Sequence, residues 1–183
     1  MAGSALSSSG VERQRVASRG RHAMTLESPT NAPASIRAQG VEKLTVVVTN
    51  GVVVYLAAQD AHWNVKGPCF GPLHTLFGEV YETVHGIVDR AAERIVTLGG
   101  TVSGLSVVGS RPALAEVPPT NNTDGLTFCG NLAALVAAYA AQVDEAYRAV
   151  EGLRLTADAN ALQDAVEALE KLGWMLAAHT VTE

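Results

Sequence analysis

Four side chains between residues 62 and 93 are of types that hold a metal ion: His62, His74, Asp89 and Glu93. Two imidazoles and two carboxylates suit divalent iron or zinc, because the two negative charges cancel the ion's two positive ones. Asp89 and Glu93 are four residues apart, so on a helix they share one face. His74 precedes Asp89 by fifteen residues. Along one helix that is about 22 Å, at roughly 1.5 Å per residue. No ion bridges such a gap. Either the set is two unrelated half-sites, or the same helix of a second subunit runs antiparallel alongside and closes both. A two-fold, isologous contact would create two identical shared sites, which is the working hypothesis.

The run containing these residues reads HWNVKG at 62–67, LH at 73–74 and VDRAAERIVTLGG at 88–100. It closely resembles the Dps proteins, the small ferritin relatives of bacteria, and the resemblance extends over roughly residues 34–181. It implies an all-α, ferritin-like four-helix bundle with a long crossover between helices two and three. It also implies a homo-oligomer, a hollow dodecamer in which ferrous iron is oxidised between two-fold-related subunits. In that arrangement His62 and His74 come from one subunit and Asp89 and Glu93 from its partner. The implied activity is that of a ferroxidase, with hydrogen peroxide the preferred oxidant. Ferric mineral is stored in the shell, which protects against oxidative damage, and zinc is an alternative occupant of the site.

One position departs from the family pattern. One turn after His74, where the family commonly places an acidic residue, this chain has Gly78. Glycine offers no ligand, and in a helix interior it costs about 1 kcal/mol relative to alanine. Glu82, four residues further on, is a candidate substitute because helical side chains lean toward the N-terminus. His179, in the ending KLGWMLAAHT, is a further candidate ligand.

Each residue also has a plainer reading. His62 beside Trp63 is an ordinary core histidine in that reading, and His74 merely caps a loop. Asp89 and Glu93 next to Arg90 and Arg94 become a solvated, salt-bridged face. Adjacent helical residues point in different directions, however, which turns the arginines away from the carboxylates. Trp63 and Trp174 are expected in the core. Glu82-Thr-Val-His85 matches the Glu-x-x-His signature of di-iron bundles, but that chemistry needs a second copy and the chain has none. An intrasubunit di-iron oxygenase on Glu82 and His85 is therefore the weaker alternative, alongside a purely DNA-compacting structural protein.

Composition bounds the rest. A chain of 183 residues, 48% hydrophobic and 17% charged, builds one domain with a sizeable core. Cys69 and Cys129 make no disulfide framework and suit a reducing cytoplasm. Cys69 reads as a plain thiol rather than a soft ligand beside His74. The most apolar run, 44–58, is 15 residues long and contains Thr45, Thr49 and Asn50, which suits a buried helix rather than a membrane span. Residues 1–33 read as a flexible tail and 34–183 as the bundle. Arg13, Arg15, Arg19 and Arg21 against Glu12 give residues 1–22 a charge of +3, which leaves the rest of the chain at −8. An acidic body opposes binding to duplex phosphates, whereas many copies of a basic tail would favour it. DNA is thus a candidate partner through the tail arginines alone. An Arg- and Ser-rich start is also what an organelle transit peptide looks like.

The expected helices span about 35–64, 72–100, 127–155 and 158–181. The connection 101–125 is long and rich in Gly, Pro, Ser and Asn, with a short helix expected at 112–116. Glu151 and Asp158, near the last helical junction, are candidate pore-lining acids.

Overall fold

The structure, a computed structural model, describes residues 28–104 and 124–181. Four long helices carry the fold: α1 (Ala34–Asn64), α2 (Phe70–Thr97), α3 (Gly125–Gly152) and α4 (Thr156–Ala178). Among the described residues there is no strand, only an isolated bridge between Lys66 and Asp124. The all-α bundle expected from the sequence is what forms, with helix ends shifted by two or three residues at most of the termini. The short helix expected at 112–116 and residues 1–27 of the tail lie outside the described residues.

Helix ends follow local chemistry. Pro72 falls in the first turn of α2, where a missing N–H costs nothing. At the other end Gly99 adopts φ +86°, Gly100 N donates to Ile95 O at 2.9 Å and Gly99 N to Val96 O at 2.9 Å. These two bonds make a Schellman cap, which favours glycine because the left-handed backbone crowds a Cβ. The end of α3 repeats both bonds, from Leu155 N to Val150 O and Arg154 N to Glu151 O. There the left-handed position is held by Arg154, at φ 59°. Helix α3 starts under Asp124, whose carboxylate accepts from Thr127 N at 2.9 Å and Thr127 Oγ1 at 2.7 Å. Those bonds hold its pKa below the usual carboxylate value.

The short links 65–69 and 153–155 make α1/α2 and α3/α4 hairpins. Helix α1 runs antiparallel to α3: Lys66 bridges Asp124, Tyr139 Oη donates to Val47 O at 3.0 Å, and Gly40 faces Leu155. The end of α2 and the start of α3 therefore lie at opposite ends of the bundle, about 40 Å apart by the length of one helix. That distance is why the connection between them has to be long.

Leu44, Val47, Val54, Phe77, Val80, Val84, Tyr139, Val143, Leu169 and Leu176 fill the centre, with no side chain there more than 2% exposed. Burial pushes the Tyr139 phenol well above its ordinary pKa. Helix α1 and helix α3 are long and apolar enough to cross a membrane by length and composition. Both instead pack into the bundle. The polar groups of α1 are satisfied there: Thr45 and Thr49 bond back to Val41 O and Thr45 O, and the buried Asn50 donates to Gln142. Residues 28–33, which composition assigns to the tail, are tied down. Ser28 Oγ donates to Thr97 O at 2.7 Å and Arg37 Nη1 to Ala32 O at 2.8 Å.

Candidate metal centre

His62, near the end of α1, and His74, in the first turns of α2, face each other across the 65–69 link. Their rings stack with centroids 3.7 Å apart and planes at 22°. His62 Nδ1 lies 2.7 Å from His74 O, and His74 Nδ1 lies 2.9 Å from His62 O. A carbonyl oxygen only accepts, so both Nδ1 atoms carry the proton and donate. In the neutral imidazole that leaves each Nε2 as the lone pair. A backbone carbonyl holding the far nitrogen is how a metal-binding imidazole is usually oriented and its tautomer set. Phe70 stacks on the His74 ring at 5.1 Å, and Tyr81 meets His62 edge-on at 5.3 Å. Neither histidine is a core residue, and both are half-buried at the surface of the hairpin.

Asp89 and Glu93 are exposed on α2 and one turn apart. Among the described residues neither side chain has a hydrogen bond or an ion pair. The arginines beside them turn to α4 instead. Arg90 Nη1 bonds Asp164 at 2.8 Å on the surface, and Arg94 binds Asp158 through Nε at 2.8 Å and Nη2 at 3.3 Å. The salt-bridged-face reading of Asp89 and Glu93 therefore fails. Within one chain the structure brings His62 to His74 and puts Asp89 and Glu93 on one helix face, but it does not join the pairs. Among the described residues, no three His, Cys, Asp or Glu side chains gather to hold an ion in one chain.

The remaining candidates stand apart from the imidazoles. Glu82 lines a groove of about 240 Å³ between α2 and α4, together with Glu79, Lys171 and Met175. His179 caps the end of α4 with its Nδ1 on Met175 O at 2.9 Å. His85 packs on Tyr55, at 5.5 Å, and forms no cluster with Glu82.

Two expectations are corrected, that of the tryptophans and that of Asp158. Trp63 and Trp174 are 67% and 69% exposed, so neither is in the core of this chain. Asp158 is 1% exposed and committed to Arg94, so it lines no pore here. Glu151 accepts from the Tyr147 hydroxyl at 2.9 Å, a bond that raises the phenol's pKa. The thiols are unremarkable: Cys69 is exposed, while burial pushes Cys129 up to about 11.

Sequence reasoning missed the aromatic frame of Phe70, Tyr55 and Tyr81. Its signal was present, since Tyr81 is seven residues after His74 and therefore on the same helix face. The Arg94–Asp158 pair had no signal, because its members lie 64 residues apart.

The ferritin-like domain family matches residues 41–182, which is most of the chain and reaches from within α1 to the end of α4. This chain is a ferritin-like protein. Within that family it belongs with the Dps proteins. It is 33% identical over 135 residues to the DNA protection during starvation protein of Brevibacillus brevis, covering 72% of this chain and 87% of the relative. Its counterpart of the same name in Agrobacterium fabrum is 30% identical over 162 residues, 86% of this chain and 95% of the relative. An archaeal Dps homologue from Halobacterium salinarum superimposes with a TM-score of 0.75 at 26% identity, over 81% of this chain and 83% of that one.

Proposed function

We propose that this Dps protein is a ferroxidase and iron-storage cage whose sites are shared between subunits. Ferrous ions are its substrate. They bind between the Nε2 atoms of His62 and His74 on one subunit and the carboxylates of Asp89 and Glu93 on the partner. Imidazole with carboxylate suits ferrous iron, and the carboxylates stabilise the ferric product. Hydrogen peroxide is the oxidant, the ferric product mineralises inside a dodecamer, and the cell is protected because iron and peroxide are consumed together. The cytoplasm is its compartment.

One observation carries this reading. The two imidazoles are held by each other's backbone carbonyls in the tautomer that leaves Nε2 for a metal, yet among the described residues their own chain brings no carboxylate to complete the site. A two-fold partner is the simplest source of one. The Glu82/His85 oxygenase has no such support, since those residues form no cluster. The exposed apolar side chains Leu56, Trp63, Phe70 and Trp174 fit a chain that assembles with copies of itself.

Sizing the particle during a ferrous titration tests the reading. A large hollow particle that oxidises ferrous iron while consuming peroxide is expected. A monomer, or a large particle in which ferrous iron oxidises no faster than in buffer, ends it.

A further inference from the structure

Gly78 lies on the same face of α2 as His74, one turn later, and brings no donor. A Cβ there would stand 3.4 Å from Cε1 and Nδ1 of His62, so the His62 ring lies over it. At about 100° per residue, positions 74, 78, 85 and 89 fall within about 60° of one another around the helix. His85 therefore shares the face that carries His74 and Asp89. Its side chain is exposed, and its ring packs on Tyr55 of α1 at 5.5 Å. Ring contacts continue from Tyr55 to Tyr81 and from Tyr81 to His62, so His85 stands on the side of the hairpin where the two histidines lie. Among the described residues neither ring nitrogen of His85 has a hydrogen-bond partner. Glu82 is directed elsewhere, into the groove between α2 and α4 with Lys171 and Met175.

The antiparallel pairing that joins the two half-sites fixes what opposes Gly78. In such a pair, a step forward along one helix meets an equal step back along the other. With His74 level with Asp89 of the partner subunit, Gly78 is level with His85 of the partner subunit. With His74 level with Glu93 of the partner subunit instead, that histidine is displaced by one turn, roughly 5 Å. Either register brings an imidazole toward the level at which this chain has no side chain of its own. We propose that His85 is a further ligand for ferrous iron, donated across the two-fold contact, and that it lets each shared site hold a second ion in spite of Gly78. This rests on the shared-site ferroxidase reading and deepens it. The donor count supports the assignment. Two imidazoles and two carboxylates make four protein ligands, the usual complement of a single ion. A second ion needs a donor of its own, and imidazole suits iron.

The test is an anaerobic titration of the assembled full-length protein with cobalt(II), which takes the same donors as ferrous iron and stays divalent. Calorimetry counts the ions bound per chain, and gel filtration follows the size of the particle. The wild type should bind two cobalt ions per chain. Two variants separate donation from packing. His85→Phe keeps a ring against Tyr55 and removes the donor; it should bind one ion, with the particle unchanged. His85→Glu gives up the ring and keeps a donor, and should again bind two. The proposal is overturned if His85→Phe still binds two ions, if both variants bind only one, or if the wild type itself binds one. In each of those cases a first ion that disappears in His62→Ala/His74→Ala leaves the shared site standing. No cobalt bound by the wild type, or binding unchanged in His62→Ala/His74→Ala, removes the ferroxidase site itself.

Discussion

The two halves of the candidate centre are built in opposite ways. The histidine half is fixed by its own hairpin: two rings stacked at 3.7 Å, each Nδ1 bonded to the other residue's carbonyl. The carboxylate half is defined by what has been taken away. Among the described residues Asp89 and Glu93 stand free, because Arg90 and Arg94 are occupied by Asp164 and Asp158 on α4. The difference follows from the ligands themselves. An imidazole has two nitrogens, and a bond to one decides which the metal meets, so it needs a fixed partner. A carboxylate is symmetric and needs only to remain unpaired until the cation arrives.

The largest expected effect breaks the centre into its halves. Particles made only of His62→Ala/His74→Ala chains, or only of Asp89→Ala/Glu93→Ala chains, should each lose rapid ferrous oxidation. Particles co-assembled from equal amounts of both should regain about one quarter of wild-type activity, because random two-fold pairing rebuilds about one site in four. Sites contained in one chain would regain nothing. Stopped-flow oxidation on the mixed particles distinguishes the two.

Next in size is the support of the carboxylate half. Arg94→Ala strands the buried Asp158, whose side chain is 2% exposed. It should cost about 3 kcal/mol, since a buried charge is left without its partner. Arg90→Ala breaks a pair exposed on both sides and should cost less than about 0.5 kcal/mol. Urea denaturation of the two variants measures the contrast, and equal losses would contradict it.

Smaller effects separate the two ends of the bundle. Arg154, in the left-handed position that closes α3, lies in the turn that leads to Asp158. Arg154→Gly should stabilise the protein by about 1 kcal/mol by relieving Cβ crowding, visible as a raised Tm. Asp124 caps α3 at the histidine end, bridged to Lys66. Its folded pKa lies below the unfolded value. Its contribution is therefore complete above the unfolded pKa and fades as pH falls through the folded one. Hydrogen exchange at the first turn of α3 should speed up over that acidic interval in the wild type. In Asp124→Asn, which caps without titrating, that dependence should vanish.

Much of this was written in the chain. Four helices, the crossover and the two half-sites follow from periodicity, from Gly and Pro punctuation and from a spacing of fifteen residues that no single ion can span. Helix α1 was legible as buried in spite of its valines, because its apolar run is short and broken by Asn50 and two threonines; in the structure the threonines bond back to carbonyls of α1 itself and Asn50 reaches Gln142 on α3. The tryptophans were misread for a physical reason. Composition assigns apolar rings to an interior, but it does not say whether that interior belongs to one chain or to an assembly of several.

Sequence alone determined which atoms are offered to a metal, because ligand type and helical spacing are local properties. Only the tertiary structure decided which nitrogens face outward and which carboxylates remain free. Those depend on the 65–69 link folding two histidines onto each other, and on α4 presenting Asp158 and Asp164 to arginines more than sixty residues away. Such pairings are set by packing between helices, and nothing in the neighbouring residues announces them.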